Sequence, residues 1–177
     1  WKGGQTEAGA RATMSHTASL AAPQAIWEGM IRQCGAVATN NLDETVDAVK
    51  ALVLTRRPAG RRVALLALTG GQSVSITDAF AKAGFIVPRL TEGSYKELAG
   101  FFNIIGGSYQ NPLDMAGTIQ GRTEMLDRIL RIVDADPNID AIAMETSATF
   151  AARQWKRRPA ALDEMLDALE NHAKRSV

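Results

Sequence analysis

The chain has 177 residues, 46% of them hydrophobic and 22% charged, with 20 Lys and Arg against 19 Asp and Glu. A chain of this length buries roughly 70% of its unfolded surface, enough for a real core. The net charge of +1 offers no concentrated basic surface for nucleic acid, and no stretch reaches the roughly 20 apolar residues of a membrane helix. The single cysteine, Cys34, excludes a disulfide framework and a Cys-cluster metal site and suits a reducing, cytoplasmic compartment.

Residues Lys2 to Leu20 are rich in Gly, Ala and Thr without a hydrophobic period, and read as an irregular loop. Trp27, Met30, Ile31 and Cys34 then recur at helical spacing behind Pro23, and Gly35 stops that helix. Asn41, with Glu44 three residues on, predicts the N-cap of a helix carrying Val46, Val49, Leu52 and Val53. The breaker-rich run 56–62, with four arginines, reads as a solvated linker.

Beyond the linker, strands and helices alternate. Val63 to Leu68 is a continuous apolar run, as in a parallel strand covered on both faces. Thr69-Gly70-Gly71-Gln72-Ser73 turns into a helix running to about Ala83, and Phe85 to Pro88 predicts a second strand. Ser94 and Glu97 form a capping box for the next helix. Residues 104–121 are loop-like; Leu126, Ile129, Leu130 and Val133 mark a helix halted by Pro137. Ile139 to Met144 is a third strand, and a last helix starts near Pro159. The order β-α-β-α-α-β-α predicts an α/β fold, a flavodoxin-like doubly wound parallel sheet. The pattern asks for one more strand, and the chain opens at Trp1 without Met; both suggest a piece of a larger protein.

Few residues could carry chemistry. Of the two histidines, His172 lies near the end of an amphipathic helix, a structural position, whereas His16 sits in a small-residue stretch with no apolar face to fill. Neither has a second His or Cys at ligand spacing, so no metal site is expected. The turn Gly70, Gly71, Gln72, Ser73 and Val74 offers backbone N–H groups to an anion at a helix start. It lies where open α/β sheets bind ligands, although it matches neither a Walker loop nor GxGxxG. Asn111-Pro112-Leu113-Asp114 is a turn by composition. Glu145 follows the third strand directly, and a solvated strand end is its simplest reading.

The order of three motifs is specific. Lys2-Gly3-Gly4-Gln5-Thr6-Glu7-Ala8-Gly9 leading to Ser15-His16-Thr17-Ala18-Ser19-Leu20 resembles the phosphohistidine segment of NDP-forming acyl-CoA synthetases, the succinyl-CoA synthetase-like superfamily. Leu68-Thr69-Gly70-Gly71-Gln72-Ser73-Val74, Thr77-Asp78 and Asn111-Pro112-Leu113-Asp114-Met115 look like that family's last flavodoxin-like domain. The resemblance implies a domain remnant over 1–55 with the phosphohistidine loop, a linker over 56–62 and a second flavodoxin-like domain over 63–177, truncated at its last strand.

It implies a reversible acid–CoA ligase that converts acyl-CoA, phosphate and NDP to acid, CoA and NTP. His16 would be the phosphoryl carrier, the Gly70–Val74 turn would hold the phosphoryl group, and Ser15, Thr17, Asn111 and Asp114 would support them. CoA, ATP or ADP and Mg²⁺ are implied too, bound mostly by CoA-binding and ATP-grasp partner domains or subunits, within an oligomer. Ala18 and Ala22 stand where the family commonly has Gly. That keeps open a regulatory synthetase-like region of a lysine acetyltransferase; a flavodoxin-like docking domain without phosphoryl chemistry is a separate alternative.

Overall fold

The structure, a computed structural model, describes residues 1–17, 22–119, 122–147, 156 and 159–175. The chain divides into two compact units, Trp1–Arg57 and Pro58–Val177.

The first unit holds three helices, α1 (Glu7–Thr17), α2 (Gln24–Cys34) and α3 (Leu42–Leu54). Helix α1 stands where the composition predicts a loop. Glu7, Ala8, Ala10, Arg11 and Ala12 are strong helix formers, Glu7 and Arg11 pair at 2.7 Å one turn apart, and Thr6 Oγ1 accepts the Gly9 N–H. Small side chains leave no hydrophobic period, so propensity alone marked this helix. Gly35 ends α2 in a left-handed conformation at φ 63°. Asn41 caps α3 as expected, accepting from the Glu44 N–H at 2.8 Å, while the Glu44 carboxylate reaches back to the Asn40 N–H.

The second unit is a parallel sheet with helices: β1 (Val63–Ala67), α4 (Gly70–Lys82), α5 (Glu92–Ala99), β2 (Leu113–Asp114), α6 (Ala116–Ile119), α7 (Thr123–Asp134), β3 (Ala141–Met144) and α8 (Pro159–Arg175). The strand order is β2-β1-β3, with Leu66 opposite Leu113 on one side and Met144 on the other. All five β1 residues are buried, as its unbroken apolar run requires. Alternation sends Ala64 and Leu66 into a core with Leu113, Met115, Ile142 and Met144, roofed by Tyr95 and Leu98 of α5, Leu126, Ile129 and Val133 of α7, and Met165 and Leu169 of α8. Val63, Leu65 and Ala67 therefore face the other side, where α4 packs on β1 and β2.

Several local expectations are corrected. Phe85 to Pro88 makes only a bridge, Ile86 to Arg62, because Pro88 has no N–H to continue a ladder. The stretch 104–121, expected to be loop, contains β2 and α6. Helix α4 starts at Gly70 with Thr69 as its cap, three residues before Ser73. Thr91, rather than Ser94, caps α5 and accepts from the Ser94 N–H. Arg62 is no solvated linker residue, since its guanidinium pairs with Asp140 at 2.6 Å.

Candidate functional site

His16 lies in the last turn of α1, one residue before the helix ends at Thr17, and it is exposed, as is Ser15. A helix thus carries the histidine, not the irregular loop read from composition. Ala18 lies outside the described residues, while Ala22 is exposed just before α2.

In the second unit, the start of α4 is partly satisfied from within. Thr69 Oγ1 accepts the Gln72 N–H at 3.3 Å, and Ser73 N–H donates to Thr69 O at 3.0 Å. The Ser73 hydroxyl donates to Gly70 O, so this side chain turns inward and is buried. Val74 points outward, 64% exposed. The room for an approaching anion is uneven. A Cβ added at Gly71 would meet nothing within 4 Å, whereas at Gly70 it would meet Asp114 Oδ2 at 3.2 Å. Asp114 thus sets its carboxylate beside the positive end of α4, where the helix dipole favours a negative charge.

Asp114 is buried at the carboxyl end of β2. Its backbone exchanges hydrogen bonds with Ser108 at 2.8 and 3.1 Å, and its Oδ1 accepts from the Ala116 N–H at 3.3 Å. Asn111 has a different task from the one the turn motif suggests. Its Oδ1 accepts the Leu65 N–H at 2.9 Å, while its Nδ2 donates to Val63 O and Pro88 O. It substitutes for a stretch of strand beside β1, with a cis bond to Pro112. The structure therefore gathers Gly70–Val74 and Asp114 at one sheet edge and assigns Asn111 to the sheet itself. Glu145, one residue past β3, joins that edge.

His172 on α8 has its Nε2 3.9 Å from Asp134 Oδ2 of α7, a helix–helix contact in keeping with a structural role. Among the described residues no three His, Cys, Asp or Glu side chains converge as metal ligands, and no helix is long and apolar enough to cross a membrane.

Residues 1–52 match the model of the succinyl-CoA ligase-like flavodoxin domain. The chain is 34% identical over 151 residues to the alpha subunit of ADP-forming acetate–CoA ligase II of Pyrococcus furiosus, covering 85% of this chain and 32% of the relative. It is 28% identical over 132 residues to an ADP-forming 4-hydroxybutyrate–CoA ligase of Nitrosopumilus maritimus, covering 73% and 19%. Among solved structures, dinucleotide forming acetyl-coenzyme A synthetase 1 of Ca. Korarchaeum cryptofilum, in complex with phosphate and ADP, matches with TM-score 0.73 and 27% identity over 97% of this chain and 35% of that one. The chain spans about a third of the length of these alpha-subunit and structural relatives.

The fold and these likenesses define a protein built from succinyl-CoA ligase-like flavodoxin domains. The chain belongs to the NDP-forming acyl-CoA synthetase family.

Proposed function

We propose that this chain is part of an NDP-forming acid–CoA ligase and that His16 is its phosphoryl carrier. The observation that carries this reading is an exposed histidine, at the end of a helix, inside the segment that matches the ligase domain. Residues 1–55 would be the C-terminal part of one CoA-ligase domain and 63–177 a second one. The relatives named above are ligases, and none bears an acetyltransferase name, so the ligase reading is preferred to the regulatory one.

Acyl-CoA and phosphate give acyl phosphate and CoA. The phosphoryl group then moves to an imidazole nitrogen of His16 with release of the acid, and finally to NDP, giving NTP and free His16. A neutral imidazole suits both halves, as nucleophile and then as leaving group. Phosphoryl transfer needs positioning and charge stabilisation more than covalent machinery. The Gly70–Val74 turn would provide that stabilisation through the N–H groups of Gly70 and Gly71 in the first turn of α4, approached on the open Gly71 side, away from Asp114. Ser15 and Thr17 flank the carrier. CoA, ATP or ADP and Mg²⁺ would be held mainly by CoA-binding and ATP-grasp domains or subunits in a cytoplasmic oligomer. The relatives divide between acetate and 4-hydroxybutyrate by name, so the substrate class is a short carboxylic acid.

The test is phosphate labelling of the full ligase containing this chain, after incubation with ATP and Mg²⁺. Acid-labile, alkali-stable label should appear in the wild type and vanish in His16→Ala. Equal labelling of the variant would remove His16 from the reaction.

A further inference from the structure

The carboxyl edge of the sheet contains a buried acceptor left unused. Glu145 Oε2 is screened from solvent and has no hydrogen-bond partner among the described residues. The Glu145 backbone N–H donates to Leu66 O at 2.8 Å, one step past the Leu66–Met144 pairing. Glu145 therefore stands beside Ala67, and Ala67 pairs with Asp114 on its other side. In-register neighbours share a face of the sheet. Here it is the α4 face, since Leu66, Leu113 and Met144 occupy the opposite core. Below Glu145, β3 adds only Ala141 and Ala143 to this face, both partly exposed, so the strip of sheet leading to the carboxylate is shallow and small-sided.

A carboxylate oxygen shut away from water without a donor is costly. Such a group calls for an explanation, and a donor supplied from outside the chain is one. The position is the edge at which open α/β sheets bind ligands. The chemistry narrows the ligand: two carboxylates, Asp114 and Glu145, border Ala67 here. They repel the charged end of an acid and accept an uncharged donor at its other end.

We infer that Glu145 is a specificity-determining residue that accepts a hydrogen bond from a hydroxyl on the acyl chain of the acid. This rests on the ligase reading above. A site whose buried polar group expects a donor discriminates against the analogue that lacks one, more strongly than an apolar pocket discriminates by size.

The experiment measures kcat/KM of the full ligase for matched acids: glycolate against acetate, 3-hydroxypropionate against propionate, and 4-hydroxybutyrate against butyrate. The wild type should favour the hydroxy acid in at least one pair by about 10- to 100-fold. Glu145→Leu should abolish that preference, and Glu145→Gln, which keeps an acceptor oxygen, should retain part of it. The ratio within a pair cancels any general loss of folded enzyme. Should Glu145→Leu fail to fold, the wild-type ratios and the Glu145→Gln ratios still decide. A wild type favouring the plain acid in every pair, or a preference unchanged in Glu145→Leu, overturns the inference while leaving the ligase reading intact. Turnover with no acid at all would instead defeat that reading.

Discussion

Arg62 and Asp140 lock the starts of two neighbouring strands together. The guanidinium meets the carboxylate twice, Nη2 to Oδ1 at 2.6 Å and Nε to Oδ2 at 3.0 Å, and the Arg62 backbone N–H adds a third bond to Oδ2. Bidentate geometry of this kind fixes direction as well as attraction. The Asp140 N–H returns a bond to Arg62 O at 2.7 Å, so side chains and backbone set the same register for β1 and β3.

The pair makes acid sensitivity predictable. Hydrogen bonds from the Arg62 side chain, and then from its backbone, lower the Asp140 pKa from 3.8 to about 2. A carboxylate with a depressed folded pKa contributes stability above its unfolded pKa and loses it as pH falls through the folded value. Unfolding midpoints should therefore drop between pH about 4 and about 2, and Asp140→Asn should flatten that slope. An unchanged slope in the variant would remove Asp140 from the acid response.

Gly60 gives an independent approach to the same contact. A Cβ there would collide with the Asp140 carboxylate. Gly60→Ala should displace the carboxylate and lower the thermal midpoint as Asp140→Ala does, and the double variant should be little worse than either single one. Additive losses in the cycle would show that the two positions act separately.

Asn111 tests whether the Asn-Pro-Leu-Asp motif acts through chemistry or through structure. Its amide makes three bonds to backbone groups, two of them on buried β1 residues. Asn111→Ala should cost about 2–4 kcal/mol at roughly 1 kcal/mol per bond, read by denaturant unfolding. Asn111→Asp should be at least as harmful, because its carboxylate would face the carbonyls of Val63 and Pro88. In the full ligase, activity should fall in proportion to the folded fraction. A large loss of kcat in a fully folded variant would return Asn111 to the reaction.

The same positions mark how far the sequence could be read. Strand β1 and helix α7 were legible because burial imposes its own period: an unbroken apolar run for a strand covered twice, and Leu126, Ile129, Leu130 and Val133 for one helix face. Helix α1 was not legible, since Ala and Gly leave no period. Strand β2 has two residues and exists only through its pairing with β1, which composition cannot convey. Arg62 looked like linker because its partner lies 78 residues away. The candidate residues His16 and Gly70-Gly71 stand out as motifs, but the Asp114 carboxylate beside Gly70 and the buried oxygen of Glu145 depend on sheet register, which motifs do not state.

The asymmetry between Gly70 and Gly71 offers the sharpest check of the proposal that this turn holds phosphate. Both glycines lie in the first turn of α4, where alanine is intrinsically the better helix former. At Gly71 an added methyl meets open space, so Gly71→Ala should leave stability unchanged or slightly raised. Phosphate approaching the first-turn N–H groups on that side would lose its close contact. In the full ligase, KM for phosphate should rise about tenfold, equivalent to about 1.4 kcal/mol, or one good hydrogen bond, with kcat changed less. Gly70→Ala instead presses on Asp114 Oδ2 at 3.2 Å. Its principal effect should be on thermal stability, because the carboxylate can move only by loosening its bond to the Ala116 N–H. If Gly71→Ala left KM for phosphate unchanged while Gly70→Ala raised it in a stable protein, the anion would approach from the Asp114 side and the proposed direction would be wrong.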